Sequence, residues 1–351
     1  MRSVLFPELG QVSLADVPSP ELVQPTDALV RVHAAAICGS DLHIVAGHIT
    51  PETGFPLGHE YVGEIVAVGP AVTRFGIGDR VTGPAAPYCR SCEMCTRGQH
   101  QRCLRGGILG SGPAMGGLGG AQSEVLRVPW ADQTLVHVPR NVSDAAAIAV
   151  GDVLTTGWSG VLQAAPAPGD TLVVIGCGPV GLSAVHTGRR LTAATRVIAI
   201  DPVESRGEMA RRLGADVVLR PGPDTADAVA GLTGGRGTEA IVDAAGVQAT
   251  MDMACDLAAV GGRIALLGIA AQPLSMDFGS LLMKNVTVWT GLGDLTQMDT
   301  LMELVAAGRL DPTPMFTDTV PLGDVPATYE RLAQGASDVI KVLVTMEGEA
   351  A

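Results

Sequence analysis

Val173-Val174-Ile175-Gly176-Cys177-Gly178-Pro179-Val180-Gly181, followed by a helix-compatible run to Thr192, decides the fold of this 351-residue chain. β-Prone residues lead into G-x-G-x-x-G and then into helix-forming sequence, the strand–turn–helix setting that a dinucleotide-binding turn requires. The first glycine permits the tight turn, the second lets backbone approach a pyrophosphate, and the third lets helix and strand pack closely. The helix start offers free N–H groups and the positive end of its dipole to the phosphates. In a chain with 45 glycines the pattern alone is weak. Asp201 strengthens it: it lies 20 residues past Gly181, at the end of the apolar run Val197–Asp201, where a carboxylate can accept the ribose hydroxyls. The same carboxylate would repel the 2′-phosphate of NADP, so NAD is the expected cofactor. Arg206, five residues on, could pair a phosphate and leaves NADP open.

Working outward, apolar runs alternate with helical ones: Val197–Asp201, Arg206–Leu213, Ala240–Ala244, Val247–Ala259, Arg263–Gly268. Such alternation marks βαβ units and a parallel sheet covered on both faces. Upstream, to about residue 150, short β-prone runs (Ala28–His33, Glu60–Val68, Val125–Val128) are separated by Gly and Pro. After a helix over Met298–Ala307 come a Pro-rich loop, a helix near Val325–Gln334 and a strand, Ile340–Val344. The expected fold class is α/β, a doubly wound parallel sheet over residues 155–295 set inside a β-rich domain of residues 1–154 and 296–351.

Composition narrows the function. Acidic residues number 36 and basic ones 23, a balance of −13, and the only lysines are Lys284 and Lys341. A nucleic-acid binder needs a basic footprint to displace counterions, so nucleic acid and anionic membranes are poor partners. Hydrophobic residues make up 47% and charged ones 17%, enough for large cores and too apolar for disorder. The N-terminus has no signal-peptide pattern, and the longest apolar stretch, Thr171–Val185, is broken by three glycines and a proline. A cytoplasmic location is expected, and clustered cysteines fit reduced thiols better than a disulfide framework.

Cys89-x2-Cys92-x2-Cys95-x7-Cys103 packs four thiols into one lobe, about residues 88–105. Four thiolates at this spacing can converge on zinc, and a closed all-thiolate set leaves no open position, which makes a structural site. An iron–sulfur cluster is the other soft-metal reading. Arg90, Arg97, Arg102 and Arg105 lie in or beside the loop and are expected to offset the site's negative charge. Cys38 and His59, each flanked by glycine, read from the residues alone either as core residues or as ligands of a second metal. His33, His100, His137 and His186 show no ligand spacing. Cys177 and Cys255 read as small apolar fillers, and His48, after Gly47, either lines a pocket or faces water.

The set Cys38-Gly-Ser40-Asp-Leu-His43, Gly58-His59-Glu60-x-x-Gly63, Gly78-Asp79-Arg80-Val81, the four-cysteine lobe and Gly176-x-Gly178-Pro-Val-Gly181 resembles the zinc-dependent medium-chain alcohol dehydrogenases over essentially the whole chain. The resemblance implies a GroES-like catalytic domain wrapped around a Rossmann domain. It implies two zinc ions per chain, the structural one in the cysteine lobe and a catalytic one held by Cys38, His59 and Asp152, with Glu60 binding it or standing just behind. Many members carry Cys where this chain has Asp152. Cys38 and Asp152 would neutralise the ion, and Glu60 would add a further charge, so Glu60 is expected to join or leave the metal during turnover. Zinc would act as a Lewis acid on the alcohol, with Ser40 bonding the alcohol oxygen, His43 receiving the proton and a cofactor ribose hydroxyl bridging them. Thr156, Gly268, Ile269 and Leu292 would hold the nicotinamide cofactor beside Gly176, Gly178, Pro179, Val180, Gly181, Asp201 and Arg206.

The expected activity is NAD-linked oxidation of a small-molecule alcohol, secondary or a diol, by a homotetramer or homodimer. A polyol or amino-alcohol dehydrogenase and an aldehyde dismutase are the alternatives within the family. A zinc-free quinone reductase shares the fold but lacks the cysteine lobe. An inactive zinc-stabilised binding protein would need the ligands to be idle.

Overall fold

Alternation of buried and exposed side chains at Val30, Arg31 and Val32 opens the longest strand of the N-terminal part, and the other elements there assemble around it. In the computed structural model, which describes residues 1–336 and 338–346, the chain divides into two units. One comprises Met1–Asp152 and a second segment beginning at Asp294; the other is Val153–Gly293.

In the first unit β1 (Arg2–Phe6) pairs antiparallel with β2 (Ser13–Asp16) and with β4 (Phe55–Pro56). The larger sheet is centred on β3 (Ala28–Ile37), which pairs antiparallel with β5 (Tyr61–Val68), β7 (Val125–Val128) and β16 (Lys341–Thr345). Beyond them lie β6 (Arg80–Thr82) and β8 (Val136–His137) on one side and β15 (Phe316–Pro321) on the other. Aliphatic residues dominate the core, with Val4, Val30, Leu57, Ile65, Leu126, Leu135 and Val344 buried, and Phe6 meets Phe55 edge-on at 5.5 Å. Around the sheet run α1 (Gly39–Val45), α2 (Glu93–Thr96), α3 (Ala131–Thr134) and α4 (Asp144–Gly151).

The second unit starts with α5 (Val153–Ala164) and carries a six-stranded sheet in which every pair is parallel. Its strands are β9 (Thr171–Ile175), β10 (Arg196–Ile200), β11 (Val217–Leu219), β12 (Thr238–Asp243), β13 (Ala258–Leu266) and β14 (Thr287–Thr290), in the spatial order β11-β10-β9-β12-β13-β14. The order reverses between β9 and β12, and such a switch point opens a crevice at the strand C-termini where ligands bind in doubly wound sheets. The connecting helices are α6 (Pro179–Leu191), α7 (Glu204–Leu213), α8 (Thr225–Thr233), α9 (Gln248–Leu257) and α10 (Phe278–Met283). The second segment of the first unit adds α11 (Met298–Ala306) and α12 (Val325–Ala333).

Two elements depart from the sequence pattern. The strand expected at Ala28–His33 runs on to Ile37, because Ala34–Ile37 pair with Thr345–Val342 of β16. Alanine is a weak strand former, so a partner some 300 residues away decides this segment. The helix expected to reach Ala259 stops at Leu257, where Ala258 joins β12 opposite Thr238. Among the described residues no single helix is long and apolar enough to cross a membrane.

Candidate metal centres and dinucleotide turn

The extension of β3 delivers Cys38 to the N-cap of α1. There the chain closes a reciprocal cap: the Cys38 N–H donates to Asp41 Oδ2 at 3.0 Å and the Asp41 N–H donates to the Cys38 carbonyl at 3.1 Å. His59 and Glu60 lie immediately before β5, and Asp152 caps the C-terminus of α4. Elements far apart in sequence thus bring Cys38, His59, Glu60 and Asp152 together, one donor atom from each lying within 4.8 Å of all the others. Cys38 Sγ and His59 Nε2 each stand 3.8 Å from Asp152 Oδ2.

This set fits a zinc ion. Tetrahedral coordination with bonds of about 2.3 Å to sulfur and about 2.0–2.2 Å to nitrogen or oxygen spaces donors about 3.3–3.8 Å apart, whereas 3.8 Å is long for a hydrogen bond. Charge points the same way. Asp41 and Glu60 are fully buried and Asp152 nearly so, beside a thiol, and Lys341 is the one lysine among them. Burial opposes ionisation of His59, yet the Asp41 charge and the Asp152 contact push its pKa well above the usual imidazole value. Burial likewise works against the Asp152 carboxylate, but His59 holds it well below the usual range. The cluster therefore calls for a positive charge at its centre.

Supporting residues outside the expected set hold it in place. His59 Nδ1 and Asp41 Oδ1 are 3.1 Å apart but out of line for a hydrogen bond, and neither has another partner among the described residues. An aligned contact here would be the carboxylate–histidine support that fixes ring orientation in metal sites. Asp41 Oδ2 also accepts from Gln122 Nε2 at 3.3 Å, and Gln122 is bonded to the Tyr329 hydroxyl from α12. Glu60 has both oxygens on Lys341 Nζ, at 2.8 and 2.6 Å, with both side chains fully buried. Burial pushes the Glu60 carboxyl up to about 7 against the pull of that ammonium. Lys341 opens β16, so the strand pairing that extends β3 also supplies this counter-charge.

Ser40 and His43 sit on α1, with Ser40 Oγ 3.5 Å from His59 Nε2. His43 is half-buried; burial and the neighbouring His48 lower its pKa. His48 is exposed, which answers the question its sequence left open.

The four cysteines of the lobe converge as well. All are free thiols, with Cys103 Sγ 3.5 Å from Cys89 Sγ and 3.8 Å from Cys92 Sγ. These distances match tetrahedral edges of about 3.8 Å at zinc and exceed a disulfide bond of about 2.05 Å. Burial raises Cys89, but the Ser91 hydroxyl and backbone N–H groups outweigh it and bring it to about 6, while burial and its neighbours push Cys95 to about 12. Four crowded thiols cannot all ionise without a cation among them. The expected arginine screen is thinner than the sequence suggests: Arg97 pairs with Glu93 at 2.7 Å and Arg90 lies over the Tyr88 ring.

In the second unit Gly176 and Cys177 lead from β9 to Gly178, the N-cap of α6, with Pro179 and Val180 in its first turn. A Cβ at Gly181 would lie 1.7 Å from the Gly176 carbonyl oxygen, so only glycine allows this close approach. Asp201 follows β10 and is buried. Its Oδ2 accepts the Cys177 N–H at 2.7 Å and its Oδ1 the Val203 N–H at 2.8 Å. Arg206, on α7, keeps a buried Nε with no partner among the described residues. Gly268 and Ile269 follow β13, and Leu292 follows β14 beside Gly293, where a Cβ would fall 2.9 Å from Thr156 Oγ1.

Comparison with known proteins agrees with this construction. Residues 24–140 match the alcohol dehydrogenase GroES-like domain and residues 179–307 the zinc-binding dehydrogenase domain. An alcohol dehydrogenase of Cupriavidus necator is 33% identical over 98% of both chains. The solved structure of an alcohol dehydrogenase from Thermus sp. ATN1 is 38% identical, with a TM-score of 0.92 over 99% of this chain and 100% of that one. Two further solved relatives are described as bound to NADP (Sinorhizobium meliloti, 26% identical, TM-score 0.88, covering 98% of each chain) and to NADH (Escherichia coli, 27%, 0.86, covering 98% of this chain and 99% of that one). The chain belongs to the zinc-dependent medium-chain alcohol dehydrogenase family, whose members are oxidoreductases acting on small molecules.

Lys341→Met leaves Glu60 buried without its partner and should cost about 3–5 kcal/mol in chemical denaturation. Lys341→Met combined with Glu60→Gln should recover much of that loss. A single variant as stable as the native chain would show that the pair is not the buried counter-charge described above.

Proposed function

We propose that this chain oxidises a secondary alcohol or diol reversibly with NAD, using zinc held by Cys38, His59 and Asp152, with Glu60 in reserve on Lys341. The observation that carries the reading is the convergence of these four donors beside Ser40. We assign the catalytic role to the domain of residues 1–154 and 296–351 and the nucleotide-binding role to residues 155–295. A zinc ion held by this set supplies Lewis acidity that lowers the pKa of an alcohol hydroxyl.

The chain's own residues supply the rest. The Asp41 carboxylate lies 3.1 Å behind the His59 ring at Nδ1, and Cys38 is fixed by the cap of α1. Ser40 Oγ, beside His59, accepts the proton leaving the substrate hydroxyl, and His43 takes it onward, ready to release because its pKa is lowered. In the other unit Gly176, Gly178, Pro179, Val180 and Gly181 form the phosphate cradle, and Thr156, Gly268, Ile269 and Leu292 hold the nicotinamide end.

The preference for NAD rests on Asp201. Two backbone N–H groups pin its carboxylate, so it cannot swing away from a 2′-phosphate, and it keeps spare lone pairs for ribose hydroxyls. Arg206 then serves the hydroxyl or phosphate side of the adenosine. Initial rates across primary, secondary, diol, polyol and amino alcohols should show turnover of secondary alcohols or diols, with kcat/KM for NAD at least about tenfold above NADP, or 1.4 kcal/mol. Ser40→Ala should cut kcat by about 100-fold or more. A preference for NADP, or full turnover by Ser40→Ala, would remove the corresponding assignment.

The two-metal reading has its own check. Elemental analysis should find two zinc ions per native chain and one after Cys38→Ala, and Cys95→Ser should empty the lobe and lower the melting temperature. One zinc in the native chain would defeat it.

We also propose that the chain forms a homodimer or homotetramer through the β14 edge of the parallel sheet. In support, β14 pairs on one side with β13, and Val260, Phe278, Leu282 and Met283 of the same unit are 72–81% exposed. Apolar side chains beside an open strand edge favour pairing with a second copy. Sedimentation should give a multimer that Leu282→Lys with Met283→Lys dissociates; a native monomer would refute it.

A further inference from the structure

The C-terminus of α1 ends in a turn that pairs two histidines. The Gly47 N–H donates to the Ile44 carbonyl and the His48 N–H to the His43 carbonyl, both at 2.9 Å. With Gly47 left-handed at φ +75°, this is a Schellman motif, which sets the residue after the glycine against the residue three positions inside the helix end. That contact is usually apolar; here it joins His43 to His48. Their Nδ1 atoms are 3.1 Å apart and the rings are tilted at 53°. Glycine suits the turn because its φ of +75° is one that L side chains rarely adopt.

Two neutral imidazoles at this distance share one proton: one Nδ1 donates and the other accepts. Both Nε2 atoms remain for other partners. His43 is half-buried and His48 exposed, so the pair runs from the protein interior to water.

We propose that His48 is the exit carrier of the proton relay, taking from His43 the proton released in alcohol oxidation and passing it to solvent. The inference rests on the Ser40–His43 relay proposed above and extends it by one residue. A proton arrives on His43 Nε2; the proton on His43 Nδ1 moves to His48 Nδ1; and His48 releases its Nε2 proton to water. No net charge accumulates and no bond to carbon changes. The shared hydrogen bond ends with donor and acceptor exchanged, and proton exchange of both rings with water restores the starting tautomers. Carbonyl reduction runs the same path inward. The cation formed in transit lies at a helix C-terminus, where positive charge is favoured.

The test uses the holoenzyme with NAD and 2,3-butanediol in single-turnover stopped flow, following NADH by absorbance and the proton by a pH-indicator dye in weak buffer. In the native enzyme the proton should appear in step with NADH. In His48→Gln it should lag severalfold, and added imidazole should restore it, a response that a purely structural role for His48 does not give. The Schellman turn is made by backbone and Gly47, so the variant keeps its fold.

Proton release in step with NADH in His48→Gln, while His43→Gln slows it, would overturn the role of His48 and leave the shorter relay standing. Unchanged release in both variants would overturn the relay itself. A measurement without turnover decides the pairing directly: 15N-histidine-labelled holoenzyme should show a coupling between the two Nδ1 nuclei across the shared proton, and its absence would overturn the proposal.

Discussion

Burial of several negative groups around one point is the constraint on which the first unit depends. Asp41, Glu60 and Asp152 crowd a thiol and an imidazole, in an interior where an uncompensated carboxylate costs several kcal/mol. The chain answers part of the load with its own groups: Lys341 neutralises Glu60, and backbone and amide donors at Cys38 and Gln122 serve Asp41. The remainder falls on His59, which is driven toward its charged form. A divalent cation among the same donors would relieve that load while leaving the imidazole neutral, and its binding would then be coupled to the folding of this region. The strand extension to Ile37, the cap of α1 and the register of β16 are therefore parts of one electrostatic solution.

What could be read from the sequence was whatever local spacing encodes. Gly176 to Gly181 and the four cysteines are short-range patterns whose chemistry follows from residue type and separation, whereas Cys38, His59 and Asp152 were marked as ligands only by the family resemblance. The supporting groups are of another kind. Lys341 meets Glu60 across 281 residues, and Gln122 meets Tyr329 across 207. No periodicity records such pairings. Asp41 stood in plain sight within the Cys38–His43 stretch, and its spacing of three from Cys38 was a usable signal, since an N-cap and its third residue commonly bond reciprocally. Arg97 shows the opposite error: nearness to the cysteines suggested a counter-charge, but one helical turn places Glu93 closer.

Different physics positions the groups of the two units. In the first, charge and capping bonds bring side chains from distant strands and helices to one point. In the second, backbone does the work: parallel strands set the turn at the switch point, and glycine at position 181 permits an approach that any side chain would block. The first kind of site is sensitive to single charges and the second to single methyl groups.

Asp201 joins these two kinds of constraint. Its two oxygens accept one N–H each, from Cys177 in the turn and from Val203 after the strand. Asparagine has one acceptor oxygen and would point an amide donor at one of those N–H groups. A carboxylate is thus required to brace the Gly-rich turn, whatever nucleotide lies above it. The acidic residue that would select a ribose hydroxyl over a phosphate is also the one that gives the turn its shape. Replacing it would loosen the Gly-rich turn as well, so any selectivity it would give and the shape of the turn could not be tuned independently. An adjustment that keeps the brace has to come from Arg206 on α7, whose Nε has no partner among the described residues and makes none of the bonds that hold the turn.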